Sequence, residues 1–319
     1  MARTASAGDA PKLAVSVDLD GLGCYYRIHG LGEPPPPPHR HAILQRCLPR
    51  FLELFERHRI QATFFVVGAD LADDAAGRVL LGEAARAGHE LANHTHTHPY
   101  DFTRLPRAAM AAEIDRAHAA IGEVAGQAPA GFRAPGYAIN GQVLELLAER
   151  GYAYDSSVFP SPPYYAAKAA VMAAMRLFGR RSASVLDDAR APFAPREPYR
   201  PTPAAPYART TGGEGLVEVP IAVTPLARLH VIGTSLILAP DWLRRRMTAV
   251  SLRRPLFNLE LHGIDLADAD QDGIPAALVA RQPDLRRPLS HKRRVFEELF
   301  TEAAAAQFQS VPLGRAAVV

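Results

Sequence analysis

Three histidines, His94, His96 and His98, fall within five residues, directly after the apolar stretch of residues 88–92. Imidazole is the commonest protein ligand of catalytic metals. A strand that ends in such a cluster puts it where parallel-sheet enzymes carry their chemistry. Near the start of the chain, Asp18-Leu19-Asp20-Gly21 closes the β-rich run of residues 12–17. Its two carboxylates straddle one residue and so point the same way. Arg133, Asp155 and His262 stand at the ends of three further strand-like runs. Two imidazoles at i and i+4 with one carboxylate suit a divalent metal that lowers the pKa of water from about 15.7 to about 7. A second carboxylate can then accept a proton, and a separate histidine can deliver one to a leaving group. Each feature also has a plainer reading. The histidines could be a surface loop, the aspartates an Asp/Gly turn, and Asp155 a turn cap beside Ser156 and Ser157. Arg133 could be a surface ion pair and His262 a core residue. In an extended chain His96 shares the face of His94 and His98 and competes as a ligand. Glu260 shares the strand face of His262, a weak pointer to a role.

To bring these positions together, several strands must end on one face. Leu44, Leu48, Leu52 and Phe55 recur at helical spacing and predict a helix over residues 43–59. A buried strand follows over 62–68. Helices over 75–87, 107–124 and 141–150 then alternate with strands ending near His94, Arg133 and Asp155. That alternation, with short links, argues for a parallel sheet or barrel, and a barrel gathers its strand ends at one mouth. The rhythm breaks over residues 161–213, a proline-rich insertion with one alanine-rich helix over 164–178. Strand structure resumes at 216–220, and a strand over 256–261 runs into His262. A helix over 290–304 and a closing strand over 309–314 complete the chain. The prolines from Pro34 to Pro38 predict a stiff polyproline II spacer. Residues 1–11 are expected to be disordered, and 12–319 to form a single catalytic barrel.

These residues match a family pattern. The chain resembles the NodB-type polysaccharide deacetylases, carbohydrate esterase family 4, over about residues 13–262. Val17-Asp18-Leu19-Asp20-Gly21 is similar to the family's Thr-Phe-Asp-Asp-Gly motif, and His94-Thr95-His96-Thr97-His98 to His-Ser/Thr-x-x-His. Arg133-Ala134-Pro135 fits the third motif, Tyr154 to Pro160 the fourth, and Leu259-Glu260-Leu261-His262 the fifth. The resemblance implies a distorted (β/α)7-like barrel and metal-dependent hydrolysis of an N-acyl group, acetyl or formyl, on an aminosugar. By position it implies Asp20, His94 and His98 as metal ligands and Asp18 as general base, paired with Arg133. It implies His262 as general acid, oriented by Asp155, with Asp18 and His262 on opposite flanks of the water. A backbone N–H near Tyr137 would help to hold the oxyanion. Zinc is the default cation, while Co2+, Fe2+ and Ni2+ fit the same donors. One departure stands out: Leu19 separates the two aspartates. That spacing occurs in peptidoglycan-deacetylase-like and exopolysaccharide-linked branches, so the branch stays open. Two other classes compete, a hydrolase of a non-sugar linear or cyclic amide on the same fold and a non-catalytic sugar-binding protein. The filled catalytic positions speak against the second.

The bulk numbers bound the rest. The chain has 319 residues, 48% of them hydrophobic, with net charge +3. That is enough for a large core and too mildly basic to demand nucleic acid. Cys24 and Cys47 are the only cysteines; they cannot form a Cys-rich zinc site, and a disulfide framework is not indicated. Residues 1–11 lack the pattern of a secretory signal, and no apolar run reaches the roughly 18 residues of a membrane span. The expected location is cytoplasmic, with peripheral contact to the inner membrane face as an option. Residues 164–178 with Arg180 and Arg181, and the arginine-rich stretch around Trp242, could lie in a lipid interface; alternatively they pack on the barrel. The family includes a member that deformylates an undecaprenyl-linked aminosugar. The substrate expected is therefore an aminosugar glycan or a lipid-linked sugar. Oligomeric state leaves no readable pattern.

Overall fold

The computed structural model describes residues 10–210 and 215–317. Strand and helix alternate from the start. β1 (Lys12–Asp18) leads to α1 (Leu22–Ile28), α2 (Leu48–His58) and β2 (Ala62–Val66). Next come α3 (Ala75–Arg86), β3 (Glu90–Asn93), α4 (Arg107–Ala125), β4 (Gly131–Phe132), α5 (Gly141–Glu149) and β5 (Tyr154–Asp155). After α6 (Pro162–Leu177) the chain forms β6 (Val217–Glu218), α7 (Gly233–Leu238), α8 (Asp241–Ser251) and β7 (Leu256–His262). It ends with α9 (Ala276–Val279), α10 (Leu289–Ala305), β8 (Gln309–Ser310) and α11 (Leu313–Ala316).

The first seven strands are parallel and lie in the order β6-β5-β4-β3-β2-β1-β7, with β8 paired to β1. The sheet curls until its edges approach. Where a ladder between β6 and β7 would be, one asparagine makes the seam. The Asn258 amide donates to the carbonyls of Val219 and Pro220, both at 3.0 Å, and the Asn258 carbonyl accepts from Ala222 N–H at 3.0 Å. The result is a distorted (β/α)7-like barrel.

Both faces of the sheet are covered, which is why its longer strands read as nearly continuous apolar runs. Outward residues such as Val15, Val17, Phe64 and Leu261 pack under Phe51, Phe55, Phe296 and Phe300 of α2 and α10. Each fully buried Phe of this kind contributes about 1.5–3 kcal/mol. Inward residues change character along the axis. Ala14, Phe65, Ala92 and Tyr154 meet Leu313 and Ala316 of α11 and plug one end. On the same inward register, four residues beyond Ala14 on β1, stands Asp18, paired with His262 on β7. The plug is apolar and the mouth is polar.

Several expectations change. β4, β5 and β6 are two residues each, and α1 and α7 are too short for periodicity to reveal. The proline run is not extended throughout: it bends at Pro37 and Pro38, where Pro38 takes a helical conformation (φ −82°, ψ −10°) at the head of a 3-10 turn. Residues 309–314 are not one strand, because Pro312 ends β8 and opens α11. Of the segment expected to be disordered, residues 1–9 lie outside the described residues, and the Pro11 carbonyl accepts from Gln309 N–H at 2.8 Å.

Candidate active site

β1 and β3 flank β2 and run out at the barrel mouth. Asp20 Oδ1 lies 3.3 Å from His94 Nε2 and 3.3 Å from His98 Nε2. The loop after β3 achieves this by two left-handed residues, Thr95 (φ 63°) and His98 (φ 55°). A β-branched residue there is strained, and it is tied down: Thr95 N–H donates to Asn93 Oδ1 at 2.8 Å, and Thr95 Oγ1 accepts from His98 N–H at 3.2 Å. The loop is therefore not extended, and His96 does not share the face of its neighbours. Its Nδ1 packs against Gly68 instead. Arg27 on α1 clamps the loop through the carbonyls of Thr97 and His98.

The donor atoms suit a cation. His94 Nδ1 is committed to the Arg133 carbonyl at 2.7 Å, which directs Nε2 toward Asp20. Asp20 Oδ1 and His98 Nε2 are buried and have no hydrogen-bond partner. Burial pushes His98 down to about 4, leaving a neutral imidazole with a free lone pair. Burial works against ionisation of Asp20, but His98 and His94 outweigh it and hold the carboxylate well below its usual range. Cys24 is also close: its Sγ, Asp20 and His98 offer donor atoms within 4.8 Å of one another. Burial pushes that thiol well up, and Arg27 donates to it at 3.3 Å; its raised pKa disfavours the thiolate that a cation would need.

Beside this cluster, fully buried Arg133 donates to Asp18 Oδ1 at 2.5 Å and to the Ser156 carbonyl and hydroxyl at 2.8 and 2.9 Å. Its guanidinium lies 4.1 Å over the Phe65 ring. Asp18 Oδ2 is 3.8 Å from His94 Nε2. The β1–β7 register pairs Asp18 with His262, and Asp18, Glu260 and His262 offer donor atoms within 4.8 Å of one another. Asp18 and His262 are thus neighbours on adjacent strands.

Two further corrections concern the partners. Asp155 does not reach His262. It accepts from Ser157 Oγ at 2.6 Å and lies against Glu218, its register partner on β6. Burial raises both carboxylates of that pair. Glu260 takes the place expected of Asp155: its Oε1 lies 3.1 Å from His262 Nδ1. That is an ion-pair contact whose direction falls short of a hydrogen bond. Strand alternation was the one signal that pointed to Glu260. Asp265 holds the other side of His262, accepting its backbone N–H at 2.8 Å. Tyr137 N–H is engaged with the Ala134 carbonyl at 3.2 Å rather than free for an oxyanion. It is the Tyr137 hydroxyl that faces the site, donating to Glu260 Oε1 at 2.9 Å and lying 3.5 Å from His262 Nε2. Burial works against a charged His262, yet Glu260, then Asp18 and Asp20, raise it to about 9.

Asp18, Asp20, His94, His98, Tyr137 and His262 open on one cavity of about 260 Å3, walled by Tyr25, His29, Tyr100, Tyr164, His230 and Gln282 among others. Residues 40–154 match the family model described as polysaccharide deacetylase. Over those residues the chain is similar to the polysaccharide deacetylase family. The stretch matched to the deacetylase model holds His94, His98 and Arg133, whereas Asp18, Asp20 and His262 lie outside it and are brought in by the barrel. A chitooligosaccharide deacetylase from Bradyrhizobium is 38% identical over 108 residues, 34% of this chain and 48% of that protein. A peptidoglycan deacetylase from Helicobacter pylori is 26% identical over 157 residues, 48% of this chain and 52% of that one. The chain thus spans about half the length of these two deacetylases. A Mycobacterium smegmatis structure of the polysaccharide deacetylase class has the same fold, with TM-score 0.60 at 18% identity over 98% of this chain and 91% of the other.

Proposed function

We propose that this chain is a metal-dependent hydrolase that removes an N-acyl group, acetyl or formyl, from an aminosugar of a glycan or glycan precursor. The observation that carries the reading is the meeting of three parts in one buried cavity. These are unpartnered donor atoms on Asp20 and His98 beside His94, a carboxylate held by Arg133, and a histidine held by Glu260. Asp20, His94 and His98 would hold a divalent cation, zinc by default, with cobalt, iron and nickel fitting the same donors. Such a cation acidifies water and polarises an acyl carbonyl.

The protein's own residues supply the proton traffic. Asp18 takes a proton from the attacking water, and Arg133 fixes the direction of its free oxygen. His262 gives a proton to the amine nitrogen as the C–N bond breaks. The products are a free amine and acetate or formate, and exchange with solvent restores Asp18 and His262. Glu260 keeps His262 charged and positioned, and the Tyr137 hydroxyl steadies Glu260. Neither Asp155 nor Tyr137 N–H takes part. The test is acetate and formate release from a panel of N-acetylated and N-formylated aminosugars, with small cyclic amides alongside. Turnover on the sugars, lost on chelation and restored by zinc or cobalt, is expected. Turnover of cyclic amides alone would contradict the sugar, and turnover indifferent to chelation would contradict the metal.

A further inference from the structure

A surface helix keeps its apolar residues inward and its charges in water. α6 does the reverse. Its exposed positions include Ala166, Ala170, Val171, Ala174 and Leu177, and the stripe continues into Phe178 just past its end. Arg176 is the one charged side chain among the exposed residues of 162–178. Leu177 is 86% exposed and Phe178 81%, side by side. Directly beyond them Arg176, Arg180 and Arg181 line a cleft of about 560 Å3 together with Met172, Ser182 and Ser184. Residues 161–186 hold Lys168 and these three arginines and no Asp or Glu. The patch shares a rim with the catalytic cavity: Tyr164 lines that cavity, Ser182 Oγ donates to the Ile28 carbonyl at 2.8 Å, and Arg180 donates to the carbonyl of His29.

We propose that this rim docks on an anionic phospholipid bilayer. The apolar face of α6 enters the acyl boundary, and the arginine cleft takes headgroup phosphates. Charge decides between this occupant and a second copy of the chain. A symmetric pair would set the three arginines of the cleft against three more, whereas an anionic surface complements them. No helix among the described residues is long and apolar enough to cross a membrane, so α6 would lie along the interface. The docking surface stands whether or not the cavity catalyses.

Co-sedimentation of the full chain with phosphatidylcholine vesicles, with and without about 30 mol% phosphatidylglycerol, tests this. Binding is expected to the anionic vesicles and to weaken with salt. Leu177→Ser with Phe178→Ser should lower the partition at least tenfold, on the order of what two lost apolar anchors cost. Replacing Arg176, Arg180 and Arg181 by Gln should lower it on the order of a hundredfold. Unchanged thermal melts would show both variants folded. Failure to sediment with anionic vesicles, or equal binding by folded variants, would overturn the proposal. A dimer in light scattering that the Leu177/Phe178 variant dissolves would assign the face to a second copy. Release from vesicles by inorganic phosphate would make the cleft a free-phosphate site.

Discussion

Glu260 lies 3.1 Å from His262 Nδ1 and leads the groups that push that imidazole up to about 9. The acid form of His262 is the protonated one, so activity is expected to fall as pH rises through that value. Glu260→Gln removes the first raising cause and should move this alkaline limb of kcat/KM to lower pH by about one unit or more. An unmoved limb would show that Glu260 does not tune the histidine. Arg133 and Asp18 form a buried pair, and breaking such a pair from one side typically costs about 3–5 kcal/mol because a charge is left alone. Arg133→Met should destabilise by that order in urea melts. Adding Asp18→Asn should return part of it, although the double variant stays inactive. No recovery would mean that Arg133 matters through its packing on Phe65 and its bonds to Ser156 instead. At this scale the sequence revealed residue types and spacing, which sufficed to pick out Asp18, Asp20, His94, His98, Arg133 and His262 as residues that the barrel brings together. For the partner of His262 it offered only the weak alternation signal at Glu260, and the resemblance pointed to Asp155 instead. The pairing of Asp155 with Glu218 is a register between β5 and β6, some sixty residues apart along the chain, and nothing local encodes it.

Among the elements, the seam between β6 and β7 is the informative one. Three donor–acceptor contacts of the Asn258 amide, to Val219, Pro220 and Ser156, stand where strand pairing is missing. Asn258→Ala takes the amide donor from the Pro220 carbonyl, while Val219 keeps the Ser156 hydroxyl, and should cost about 1–3 kcal/mol for the stranded group. The loss should appear in both stability and activity, since β7 carries Glu260 and His262. A loss below about 0.5 kcal/mol would contradict the closure. The long elements α2, α3, α4 and α10 were legible because their apolar periodicity spans several turns. β4 to β6 were legible as strand positions, though not in their two-residue length; α1 and α7 were not legible, because six or seven residues carry too little pattern and are fixed by their neighbours.

For the whole molecule, what the chain builds is a barrel with an apolar plug at one end and a polar mouth at the other. Convergence of residues 18–20, 94–98, 133 and 260–262 on that mouth follows from parallel strand order, which the strand–helix alternation predicted. The walls of the cavity come from α1, α6 and α7 and were not predicted to line it. Because a cation would bind the folded donors alone, zinc at about a hundred times its Kd should stabilise the protein by about 2.7 kcal/mol. Calorimetric melts with and without chelator would measure this, and Asp20→Asn should abolish the difference. Anomalous diffraction at the zinc edge from zinc-loaded crystals is the most direct measurement of all. One peak per chain is expected, about 2.0–2.2 Å from an Asp20 oxygen and from a nitrogen of each of His94 and His98. A peak bound to Cys24 in place of His94, or no peak at the barrel mouth, would contradict the site.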